Sequence, residues 1–258
     1  MNSPPQRSPL GIRTTVYGHT GRGLPLQEYQ WGNAEKSVLF LSGLHPADRP
    51  VSNLLLRWCS MLEEGCERGG ILGDFNLNHL QKRCRIRLIP HLDPNIVKIN
   101  RNGLSNIKEN IESNVKPEED RINFRGVNLN RNFNANWIKM KKRDPLRIDC
   151  GLFPESEAEV ACFVRRMKED PPLGAVILRQ GQGVLFYSLQ ATQKEQKEAF
   201  FLGQYGGFSV QEAFDTDGTA LQWLTDRGVK TVEVGLSPKQ IEQKVKMRDF
   251  LTMCAALT

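Results

Sequence analysis

Along this chain, short apolar runs bounded by glycine, proline or charge alternate with longer stretches in which apolar residues recur every three or four positions. Ser37 to Leu41, Cys84 to Ile89, Ala175 to Leu178, Val184 to Tyr187 and Lys230 to Val234 have the length and the boundaries of strands. Helical spacing is clearest after Ser156 and Glu159, which form a capping-box pattern ahead of Val160, Phe163, Val164 and Met167. A second helix opens at Ser237, Pro238 and Gln240 and carries Met247, Phe250, Leu251 and Cys254 at the same spacing. Alternation of this kind belongs to an α/β fold, a sheet covered by helices.

With 258 residues and no linker, one domain over residues 13–258 is expected, behind a flexible lead of residues 1–12 rich in proline and polar side chains. That lead lacks the apolar core of a secretory signal, and no stretch reaches the about 18 continuous apolar residues of a membrane span. Six cysteines without CxxC spacing read as reduced thiols. A cytoplasmic protein with no membrane partner is the expectation.

Charge changes this picture little. The net +6 is spread along the chain, and its densest run, Lys139 to Arg143, reads as a solvated face rather than a nucleic-acid site. Basic character does remain compatible with an anionic ligand.

Between Pro90 and Trp137 the apolar period disappears and Asn, Gly, Arg and Lys dominate, as in a functional loop. Within it, Gly126-Val-Asn-Leu-Asn-Arg-Asn-Phe133 places Asn130 beside Arg131, an amide donor next to a guanidinium that can grip a carboxylate through two parallel hydrogen bonds. An Asn-rich turn capping a helix is the alternative for that motif alone. Earlier, His45 stands three residues ahead of Asp48 at the end of a strand, like half of a zinc site. Gly181-Gln-Gly183 lacks the third glycine and the helix start of a dinucleotide site.

In order along the chain stand Gly43-Leu-His45-Pro-Ala-Asp48, Pro90-His-Leu-Asp93-Pro-Asn95, Arg121-Ile-Asn123-Phe-Arg-Gly126-Val-Asn-Leu-Asn-Arg-Asn-Phe133, Ser156-Glu-Ala-Glu159, Leu178-Arg179-Gln180, Gly218-Thr219 and Thr231-Val-Glu233. This ordered set resembles the M14 family of zinc carboxypeptidases over nearly the whole chain, and Tyr17 to Leu26 resembles the family's opening strand pair. The resemblance implies a single mixed, twisted sheet with helices on both faces and a site at the strand ends on one rim. It implies a zinc ion at His45 and Asp48, Glu233 as general base, Arg121 stabilising the oxyanion, and Asn130, Arg131, Gly218 and Thr219 holding a peptide or amino-acid-like ligand by its free carboxylate.

The departures from the family pattern concentrate at the metal. Asp48 replaces a glutamate, Arg179 stands at the place of the third ligand, a histidine, and Asn128 replaces the aspartate that orients a ligand histidine. Arginine is always charged and has no lone pair to donate. Two arrangements follow: Gln180 supplies the third ligand in a weaker site with His45 and Asp48, as an active carboxypeptidase or peptide amidase; or Arg179 takes the metal's place and pairs with Asp48 or Glu233, leaving His45 a remnant near the rim. The second is favoured, because one guanidinium beside two carboxylates satisfies them without an ion. His19, His79 and His91 are expected to be core or exposed rather than ligands.

Overall fold

A computed structural model of the chain describes residues 11–72, 75–94, 122–138, 149–214 and 216–242. Most of the proline-rich lead, the basic run at 139–143, Arg121, Asn95 and the apolar stripe from Met247 to Cys254 lie outside the described residues.

An eight-stranded sheet forms the centre, built from β1 (Arg13–His19), β2 (Pro25–Trp31), β3 (Ser37–Leu41), β6 (Arg85–Ile89), β7 (Gly174–Gln180), β8 (Val184–Tyr187), β9 (Ser209–Glu212) and β10 (Lys230–Leu236). Their order is β1-β2-β6-β3-β7-β10-β8-β9, with a separate two-stranded ribbon of β4 (Ile71–Leu72) and β5 (Phe75–Asn76). The middle four strands, β6, β3, β7 and β10, run parallel, while β2 and β8 join them antiparallel on either side. Every residue of β3 is buried, as a parallel strand covered on both faces must be.

Strand alternation sorts the core into two layers. Val176, Leu178, Val232 and Val234 point to one face, where α1 (Arg49–Glu67) lays Val51, Leu54, Leu55, Trp58 and Leu62 along a stripe of helical period and α4 (Gln193–Gly206) adds Ala199 and Leu202. Ala175 and Ile177 point to the other face, against Val160, Phe163, Val164 and Met167 of α3 (Ala158–Glu169) and Trp223 of α5 (Ala220–Thr225). Two short helices, α2 (Leu77–Arg83) and α6 (Pro238–Glu242), complete the described elements. Ser237 and Gln240 make the expected reciprocal cap of α6: Gln240 N–H donates to Ser237 Oγ at 3.3 Å and Ser237 N–H to Gln240 Oε1 at 2.9 Å.

The capping box expected at Ser156 and Glu159 is not formed. The N-cap of α3 is Glu157. Ser156 Oγ instead accepts from Asn132 Nδ2 at 3.1 Å, and Glu157 N–H donates to Asn132 Oδ1 at 3.0 Å, so a contact from the polar loop has displaced the local one.

The loops after β3 and β6 are zipped together by Ser42 N–H to Ile89 O, Leu92 N–H to Ser42 O and Asp93 N–H to Gly43 O, at 2.9–3.1 Å. Gly43 makes this possible: its φ is +70°, and a Cβ there would stand 2.8 Å from His91 Cα and Pro90 O. His91 is half-buried in this junction with its Nδ1 unpartnered, and burial, reinforced by Arg49, pulls its pKa down to about 4. A folded-state pKa below the unfolded value means that the unfolded chain binds the extra proton first, so stability falls as pH drops from about 6.5 toward 4. Replacing His91 with glutamine is expected to flatten that part of the profile, read as the difference in urea midpoint between pH 7 and pH 4.5; an unchanged difference would show that His91 does not carry it.

Candidate active-site cleft

Three of the parallel strands end on the same rim, the position where open α/β sheets place their ligands. From β3 the chain passes through Gly43 into a single 3-10 turn, Pro46–Asp48, that feeds α1. His45 N–H donates to Asp48 Oδ2 at 3.1 Å, and the N–H of Gln180 at the end of β7 donates to Asp48 Oδ1 at the same distance. Both carboxylate oxygens of Asp48 are therefore committed to backbone. Burial pushes this carboxyl up to about 6, against the pull of Arg179 and the two N–H groups.

Arg179 lies on the same face of β7 as Ala175 and Ile177, and Glu233 on the matching face of β10, one residue from Val232 and Val234. Their side chains meet: Arg179 Nη1 donates to Glu233 Oε1 at 2.7 Å, in a pair that is 34% and 12% exposed. Glu233 first, and Asp48 after it, holds the guanidinium above its ordinary pKa. Gln180 is exposed and alternates to the opposite face of the strand, where it cannot join His45 and Asp48 as a third ligand. His45 is buried at 6% exposure and lines the cleft rather than standing on the rim. His19 and His79 are exposed.

The second wall comes from the polar loop. Asn128 caps a 3-10 turn, Leu129–Arg131, by accepting Asn130 N–H at 3.0 Å. Asn130 Oδ1 accepts Ala220 N–H at 3.0 Å, docking the loop on the start of α5, which Thr219 caps by accepting Gln222 N–H at 3.2 Å. Arg131 Nη1 donates to Asp217 O at 3.0 Å. Gly218 sits at φ +69° with its N–H on Ala135 O and its carbonyl accepting Phe133 N–H; a Cβ there would stand 2.6 Å from Arg131 O. Gly218 thus fixes the backbone behind Arg131 and does not line the cleft.

Between these walls lies a cleft of about 250 Å³ lined by His45, Asn128, Asn130, Arg131, Arg179, Thr219 and Glu233 together with Phe186, Ala213, Phe214, Thr216 and Leu221. The first seven were marked in the sequence; the apolar members were not, because they arrive from β8, from the turn after β9 and from α5, each contributing one or two residues without a motif. Gly218-Thr219 was the nearest signal to them. Among the described residues no group of three His, Cys, Asp or Glu side chains converges as a metal site requires.

The zinc carboxypeptidase family model (peptidase M14) matches residues 5–246, and the chain belongs to that family. Solved structures agree in fold: murein-tripeptide amidase MpaA from Escherichia coli O157 (17% identity, TM-score 0.64, covering 98% of this chain and 94% of that one), carboxypeptidase A from Helicoverpa armigera (13%, 0.70, 96% and 69%) and thrombin activatable fibrinolysis inhibitor (14%, 0.71, 96% and 69%). None of the curated proteins compared matches the chain. Among the described residues no helix is long and apolar enough to cross a membrane.

Proposed function

We propose that this member of the zinc carboxypeptidase family holds a ligand by a free carboxylate at Asn130 and Arg131, without a zinc ion and with weak or no hydrolysis. The observation that carries the reading is the 2.7 Å ion pair of Arg179 with Glu233 beside His45 and Asp48. The residues present do not fit zinc. Zinc takes about four imidazole, thiolate or carboxylate donors; here the candidates are one imidazole, a carboxylate with both oxygens bonded to backbone N–H groups, a second carboxylate already paired with Arg179, and a guanidinium that repels a cation. Glu233, which the family resemblance makes the general base, accepts from Arg179 instead.

Support for the carboxylate end comes from the way Asn130 and Arg131 are fixed. Each is anchored to the segment at 217–220, so the guanidinium and the amide reach the cleft preorganised. A guanidinium and an amide nitrogen together match the two oxygens of a carboxylate.

Incubating zinc-supplemented protein with a library of peptides carrying free C-termini is expected to give no release of C-terminal residues. Turnover that a chelator abolishes would overturn the reading. The triple variant Arg179→His, Asp48→Glu, Asn128→Asp is expected to bind about one zinc per chain, since it restores two ligand positions and the carboxylate that orients a ligand histidine in the family pattern. Failure of the folded variant to bind zinc would mean that Arg179 does not stand where a metal ligand belongs.

A further inference from the structure

The charges at the strand ends are uneven. Among the described residues two guanidiniums line the cleft: Arg131, assigned above to the ligand's carboxylate, and Arg179, which faces two carboxylates, Glu233 and Asp48. Asp48 spends both oxygens on backbone N–H groups. Glu233 spends Oε1 on Arg179, and among the described residues its Oε2 makes no hydrogen bond although the side chain lines the cleft. A partly buried carboxylate oxygen with this surplus of negative charge calls for a cationic donor.

A peptide substrate would bring a neutral amide nitrogen with one proton. A free α-amino group brings three N–H donors and the missing positive charge. The remaining wall is apolar at Phe186, Ala213, Phe214 and Leu221, with Thr216 its polar member. A cleft of about 250 Å³ has room for one amino-acid residue. Resting on the carboxylate reading above, we propose that the ligand is a free α-amino acid with an apolar side chain: its carboxylate at Asn130 and Arg131, its ammonium at Glu233 Oε2, and its side chain against Phe186, Ala213 and Leu221. The site then recognises the zwitterion itself, and acylation of the amino group removes the charge that Glu233 reads.

Calorimetric titration of the full chain, in the presence of a chelator, with L-leucine, N-acetyl-L-leucine and L-leucinamide tests this. Leucine is expected to bind, with N-acetyl-leucine weaker by at least about tenfold and leucinamide weaker still, since each loses one charge-assisted contact. Binding of N-acetyl-leucine as tight as that of leucine overturns the amino-acid proposal and leaves the carboxylate reading standing; leucinamide binding as tightly as leucine overturns the carboxylate reading, and with it the proposal. In Glu233→Gln, leucine is expected to weaken by about tenfold while N-acetyl-leucine is unchanged. Equal weakening of both would assign Glu233 a purely structural part through Arg179 and overturn its contact with the ammonium.

Discussion

Replacing Arg87 with methionine is expected to cost the protein about 3–5 kcal/mol of stability, the range for breaking a fully buried ion pair. Arg87 and Glu28 are both completely buried between β6, β2 and α3. The guanidinium bonds Glu28 Oε1 through Nε and the carbonyl of Asp170 through Nη1. Arg166 Nε donates to Glu28 Oε2 at 2.6 Å, and Arg85 Nη2 to Asp170 Oδ1 at 2.7 Å, so one network fastens the end of α3 to the sheet. Methionine fills much of the volume but leaves Glu28 half-paired and the Asp170 carbonyl without its donor. Because a domain of this size is stable by only about 5–15 kcal/mol, the loss is a large fraction of the whole. The double variant Arg87→Met, Glu28→Gln removes the stranded charge and is expected to cost less than the sum of its two singles. Urea unfolding measures both; a single-variant loss below about 1 kcal/mol would mean that solvent reaches this network.

Arg131→Ala is expected to weaken carboxylate binding by about thirtyfold or more, from the 2 kcal/mol or more that truncating one partner of a buried, hydrogen-bonded charge pair costs. The fold should tolerate the change better than the site does. Asn130 still docks on Ala220, and Gly218 still pairs with Ala135 and Phe133. Arg131→Lys keeps the charge and loses the planar fork, so an intermediate affinity is expected. Calorimetry with a carboxylate ligand, alongside thermal melts of both variants, separates the two effects. Affinity within twofold of the unaltered protein in a stable Arg131→Ala would remove Arg131 from the binding site.

The strands were legible where the apolar run is continuous. Ser37–Leu41 and Val184–Tyr187 match their apolar runs end to end, because charge, glycine or serine bounds each of them. β1 and β2 were visible only through the family resemblance: burial alternates along most of β2 and β1 is mostly exposed, so no apolar run marks them. α1 went unnamed although Val51, Leu54, Leu55, Trp58 and Leu62 follow a helical period. The α3 start failed because Asn132, 24 residues away, outbid a local cap. At the site, the motifs around His45, Asn130, Arg179, Thr219 and Glu233 each supplied a residue to the cleft while the described residues of the motifs at 90–95 and 156–159 did not, and the arrangement at the metal position depended on pairing. That Arg179 meets Glu233, while Asp48 turns to backbone, follows from the β7–β10 register and the β3 loop, which spacing alone does not encode. Gln180, by contrast, could have been set aside from the two-residue period of its strand. The buried network of Glu28, Arg87 and Arg166 left no sequence signal, since its members are far apart and each looks like a surface charge.

With Arg179 in the place of a metal, the unaltered protein, purified without chelator and dialysed against zinc at neutral pH, is expected to hold far less than one zinc per chain by elemental analysis; one tightly held zinc per chain would show that a metal, not Arg179, occupies the strand ends.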